Sequence, residues 1–149
     1  MNQVPYPFTR FDDRYIFVST GENEINKVVE FSPMGVDHCF NLCFGDLPPD
    51  STIDDTTISN NADIGRVLIT VISISINFLE TNHWARIFFM GRTDVHTVLY
   101  KRIVKTYYYL YSSKLAIAPL LLINGQFVAV RFDSNSIDSC IAFYIRRKI

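Results

Sequence analysis

Between Asn60 and Glu80 the chain reads Asn-Asn-Ala-Asp-Ile-Gly-Arg-Val-Leu-Ile-Thr-Val-Ile-Ser-Ile-Ser-Ile-Asn-Phe-Leu-Glu, and this stretch limits what the rest can fold into. From Ile69 to Asn77 it alternates apolar and polar residues, many of them β-branched, as a strand would. The period separates the two readings. At about 100° per residue, Asp63, Arg66, Thr70, Ser73, Asn77 and Glu80 fall in one narrow polar stripe, while Ile64, Val67, Leu68, Val71, Ile72, Ile74, Phe78 and Leu79 fill the remainder. Gly65 and Ser75 break the pattern. A helix apolar over more than half its circumference must be covered on several sides, so residues 60–80 are expected to form the central helix of the domain.

The 149 residues, 48% of them hydrophobic, suffice for one domain with a core of its own. A net charge of −1 supplies no global attraction to nucleic acid or to an anionic membrane, so any such surface would have to be a local patch. The apolar run from Val67 to Leu79 is shorter than the roughly 20 residues a spanning helix needs, and the N-terminus lacks the pattern of a secretory signal. Cys39, Cys43 and Cys140 form no C-x-x-C pair and suit packing thiols in a reducing cytosol. A cytoplasmic protein is expected.

Taken in order, residues 1–13 are broken by proline and read as an extended arm. Three strands follow, centred on Tyr15–Val18, Ile25–Phe31 and His38–Phe44, with turns at Gly21 and Gly35. A polar run to Ser59 leads into the central helix, for which Asn60 or Asn61 is the expected cap. Ala85–Met90 is a short strand. Thr93 or Asp94 should cap a second helix reaching about Ser113, with Leu99, Tyr100, Ile103, Val104, Tyr107, Leu110 and Tyr111 on its core face. Leu115–Ile123 and Phe127–Phe132 flank Asn124-Gly125, a tight-hairpin signal, and Ile141–Ile145 is a final strand. The expected fold is α+β in the order βββαβαβββ: an antiparallel meander, a buried helix, a strand, an amphipathic helix, then a hairpin and strand, all in one layered domain over 1–149.

Several spaced motifs resemble a family of small uncharacterised bacterial proteins. They are Asn41-Leu42-Cys43-Phe44-Gly45-Asp46, Asp54-Asp55, Ser59-Asn60-Asn61-Ala62-Asp63 with Val67-Leu68-Ile69-Thr70-Val71, and Gly91-Arg92-Thr93 followed by Leu99-Tyr100. In the family the last motif has Gly-Ser-Thr and a pair of arginines before Leu-Tyr. This chain carries Arg92, His96 and Val98 at those places, so the resemblance carries over no arginine-built anion site. It implies a fold and a cytosolic bacterial setting.

Two constellations are candidates for function. Asn41, Asp46, Asp54, Asp55, Asn60, Asn61 and Asp63 gather around the strand-to-helix connection, where carboxylates can hold a divalent metal for phosphoryl chemistry. Asx residues at a helix start are more often caps and turn formers. Lys101, Arg102 and Lys105 share an arc of the second helix with Tyr108 and Tyr109, offering charge for phosphates and rings for bases. The bland reading is a solvated helix face. His38, Cys39 and Cys43 do not suit zinc, because residues 39 and 43 lie about 13 Å apart along a strand and His38 points to the other face. Serine-elbow, phosphate-loop and dinucleotide motifs are missing, so no cofactor, metal or catalytic residue is assigned. The favoured reading is a non-catalytic cytosolic interaction domain with a protein partner or a second copy of itself. The alternative is a metal-dependent nuclease-like or toxin–antitoxin type protein acting on nucleic acid. The bulk charge argues against nucleic acid, and nothing points to a membrane.

Overall fold

Period-two alternation of large apolar residues gives each strand one face that must be covered, and in this chain the helices cover those faces from the same side. The computed structural model describes residues 4–12, 14–47 and 61–148. Its elements are β1 (Phe8–Phe11), β2 (Arg14–Ser19), β3 (Ile25–Pro33), β4 (Cys39–Asp46), α1 (Ile64–Thr81), β5 (Arg86–Phe89), α2 (Asp94–Thr106), α3 (Tyr108–Tyr111), β6 (Leu115–Ile123), β7 (Gln126–Ala129), α4 (Ser134–Ser139) and β8 (Ala142–Arg147). The strands form one sheet in the order β1-β2-β3-β4-β5-β8-β6-β7. Among the described residues only β4 and β5 run parallel, and α1 lies in the crossover that a parallel pair requires. The last strand, β8, is inserted between β5 and β6.

Tyr15, Phe17, Val29, Phe31, Leu42, Ile87, Phe89, Leu115, Phe143 and Ile145 present one face of the sheet to the main core, which also takes buried residues from all four helices, while Phe88, Leu120 and Ala142 form a smaller buried cluster on the other face. Helix α1 is the centre of the main core. Val67, Leu68, Ile69, Val71, Ile74, Phe78 and Leu79 are buried, and Phe78 stacks on Phe31 with ring centroids 4.1 Å apart. By length and composition α1 could cross a membrane, yet in this fold it packs against the sheet.

The polar stripe of α1 is largely covered, with Glu80 exposed at its end, because the N-terminal segment lies along it. The Tyr6 amide donates to the Thr70 hydroxyl at 2.8 Å, and the Tyr15 hydroxyl donates to the Asn77 side chain at 3.1 Å. Arg66 sits 3.9 Å over the Tyr6 ring and donates to the Val4 carbonyl. The stripe is a docking seat.

Four details differ from the expectation. Phe8–Phe11, inside the expected arm, pairs with β2 as a strand. Helix α1 starts at Ile64 with Asp63 at the cap position but no side-chain capping bond, since that carboxylate is engaged by Tyr6 and Ser19. The second helix breaks at Tyr107, where the Tyr111 hydroxyl donates to the Val104 carbonyl at 2.6 Å and so takes the acceptor a continuing helix would use. Helix α4 was not expected; Asp133 and Ser136 build a capping box that starts it. Thr93 caps α2 as expected, accepting from the His96 amide. Asn124 and Gly125, both at positive φ, close the β6–β7 hairpin between Ile123 and Gln126.

Candidate functional site

The polar cluster read from the sequence is dispersed. Asp54, Asp55 and Asn60 lie outside the described residues. Asp46 ends β4 and pairs with the buried Lys27. Asn41 lies on the other face of β4, opposite Ser32. Asn61 and Asp63 do come together, but around a structural knot. The Asn61 amide group donates to the Ser19 hydroxyl at 2.8 Å and to the Asn23 carbonyl at 2.8 Å, and its oxygen accepts from the Asn23 amide at 2.7 Å. Asp63 accepts from the hydroxyls of Tyr6 and Ser19. Gly21 is required beside this knot, since a Cβ there would lie 1.7 Å from the Asn61 carbonyl oxygen. Every polar arm of Asn61 is spent on holding the β2–β3 turn to the start of α1. Among the described residues, no three His, Cys, Asp or Glu side chains come together as a metal site requires.

The basic face of the second helix is drawn toward α4. Lys101 donates to the Asp138 carbonyl at 2.7 Å, and Lys105 lies 3.9 Å from the Asp138 carboxylate. Tyr108 stacks on Phe132, centroids 4.7 Å apart. Arg102 and Tyr109 remain exposed. Two of the three cations therefore brace one helix against the next.

Cys39 and Cys43 share one face of β4 as expected, and Cys39, Cys43 and Cys140 form no disulfide. Burial pushes the Cys140 thiol above its usual range.

Two surfaces were not assembled by sequence reasoning. The first is the β6–β7 hairpin, which ends the sheet and reaches back over its helix-free face, where Phe127 meets Phe88 of β5 edge-on with ring centroids 5.3 Å apart. Leu122, Ile123, Phe127 and Val128 are 55%, 48%, 46% and 39% exposed. No charged residue occurs from Leu115 to Val130, and that uncharged run was the available signal. The second is the helix-free face of β5 and β8, where Arg86 and Arg146 are partners in register. With Arg131 they line a cleft of about 370 Å³ that also includes Tyr144. On its other side the pair lines a cleft of about 440 Å³ with His83, Trp84, Arg147 and Lys148. Finding this patch required knowing that β8 inserts beside β5.

The chain belongs to DUF6934, a family of unknown function, whose model matches residues 2–148. No curated protein and no solved structure is significantly similar to it.

Proposed function

We propose that this member of a family of unknown function is a cytosolic, non-catalytic interaction domain that pairs through the open edge of its sheet, with a second copy of the chain as partner. The observation that carries the reading is the exposed, uncharged hairpin ending in β7. An edge strand presents a row of backbone donors and acceptors ready to pair, and proteins that stay apart usually blunt it with charge or proline. At the opposite edge, β1 is blunted by Arg10 and by the nearby Pro5, Pro7 and Asp12. Within β7 there is neither charge nor proline, and the nearest cation, Arg131, lies two residues beyond it in the cleft with Arg86 and Arg146. Two hairpins meeting about a two-fold axis bring apolar side chains together without opposing like charges, and strand pairing supplies the direction. Pairing β7 to β1 of another copy would meet the guarded edge, which favours the closed dimer over a filament.

Sedimentation equilibrium tests this. The wild-type chain is expected to approach twice its 17.2 kDa mass as concentration rises through the micromolar range. Val128→Lys, which places a charge on the edge, is expected to stay monomeric with an unchanged melting temperature. A wild-type chain that stays monomeric throughout, or a variant that associates equally well, would overturn the reading.

A further inference from the structure

On the helix-free face, charge is balanced at one end of the sheet and unbalanced at the other. Where β2 meets β3, Arg14 lies opposite Glu30 and forms an ion pair at 3.5 Å. Where β5 meets β8, Arg86 lies opposite Arg146, a like-charge pair on adjacent strands that opposes folding unless an anion joins it. Among the described residues, no carboxylate approaches Arg86, Arg131, Arg146 or Arg147 within 4.0 Å, although Asp133 lies near enough to Arg131 to feel its charge. No Asp or Glu lines either of the two clefts that share this pair. The clefts share Arg86 and Arg146 in their walls, and taken together as one track their lining is cationic from Arg131 at one end to Lys148 at the other. Ala116 and Ala118 keep its floor low. In a chain of net charge −1, this segregation is the local patch that bulk composition conceals.

The track also carries rings. Tyr144 lies in the first cleft. In the second, Trp84 is 53% exposed, and its indole is braced by His38 at 4.9 Å and Phe40 at 5.9 Å. A large aromatic ring held in place yet half in water is a stacking platform. We propose that this track binds single-stranded nucleic acid, with phosphates on Arg131, Arg86 and Arg146 and bases against Tyr144 and Trp84. One phosphate would occupy only part of a track with this many cations, whereas a polynucleotide repeats its charge along the chain. An acidic peptide matches the guanidiniums but offers no base to stack on Trp84. The proposal goes beyond edge pairing and stands or falls separately from it.

Trp84 is the only tryptophan, so its fluorescence reports on the site directly. Titration with oligothymidylate and oligouridylate at low salt is expected to quench that emission, and affinity should fall with rising salt. The triple variant Arg86→Ala, Arg131→Ala, Arg146→Ala should reduce the slope of log affinity against log salt by about 2, at about 0.7 per lost phosphate contact on a single strand. Arg→Lys at the same three positions keeps the charge and should keep most of the slope, which separates loss of charge from loss of fold. Lys101→Ala, Arg102→Ala, Lys105→Ala on α2 should leave the slope unchanged. Trp84→Ala should weaken binding roughly 5-fold or more, the low end of one base stack. Absence of binding at low salt would overturn the proposal, as would a slope that survives in the triple alanine variant. Polyglutamate binding as tightly as the oligonucleotides, without quenching, would make the track a site for acidic peptides and would also overturn it.

Discussion

Replacing Asn61 by alanine tests whether the helix-start polar residues are structural. Asn61 is 2% exposed and makes three short hydrogen bonds, two to the Asn23 backbone and one to the Ser19 hydroxyl. Each bond contributes about 1 kcal/mol net. The Asn23 backbone is near water and can be rehydrated, and Ser19 keeps Asp63 as its acceptor, so the loss should not carry the full penalty of orphaned buried groups. The expected destabilisation is roughly 2–3 kcal/mol. For a domain of this size, that lowers the melting temperature by roughly 4–12 °C. Urea unfolding should show a lower midpoint with an unchanged slope, since a shorter side chain does not alter the surface exposed on unfolding. Asn41→Ala, on the helix-free face, should change stability by less than about 0.5 kcal/mol. A loss below about 1 kcal/mol for Asn61→Ala, or an equal loss at Asn41, would refute the assignment of Asn61 to the knot.

Ile74, with no exposed surface at the centre of α1, should lose roughly 2–5 kcal/mol on change to alanine; a melting temperature within a degree of the parent would count against α1 as the core helix. Burial raises the Tyr111 phenol above its ordinary value, and Tyr108 adds to the effect. With the folded value above the unfolded one, the stability contributed by Tyr111 is fully present below about pH 10 and is lost as the unfolded phenol ionises above it. Tyr111→Phe should therefore flatten the alkaline fall in urea stability, and an unchanged alkaline limb would contradict the buried hydroxyl.

The parts of the fold that follow from periodicity were legible in the sequence. The stripe from Asp63 to Glu80 located α1, and Asn124-Gly125 located a hairpin whose register agrees with the two-residue turn. What the sequence withheld depends on contacts between segments distant along the chain. The polar stripe of α1 reads as a solvent face until Tyr6 and Tyr15 are brought onto it. Asn61 reads as a helix cap because local capping is the commonest role of Asx, yet its partners are Ser19 and Asn23. The tyrosine run 107–109 reads as continuous helix, and the break is set by the burial of Tyr111 against Val104. Arg86 and Arg146 stand sixty positions apart, and only the insertion of β8 makes them neighbours. Candidate-site residues were legible by type and not by company. Of the polar cluster's described members, Asn61 and Asp63 meet in a hydrogen-bonded knot, and Asp46 is neutralised by Lys27.

The most direct test of the account is amide hydrogen exchange across β7, residue by residue, as a function of protein concentration. In an isolated chain, the Gln126–Ala129 amides that point away from β6 have no strand partner among the described residues and should exchange nearly as fast as the hairpin turn at Asn124-Gly125. If two copies pair along this edge, those amides should become protected as concentration rises, and Val128→Lys should abolish the protection. Fast exchange at every concentration, with the wild-type and variant traces superimposed, would contradict the claim that the open edge is the interaction surface.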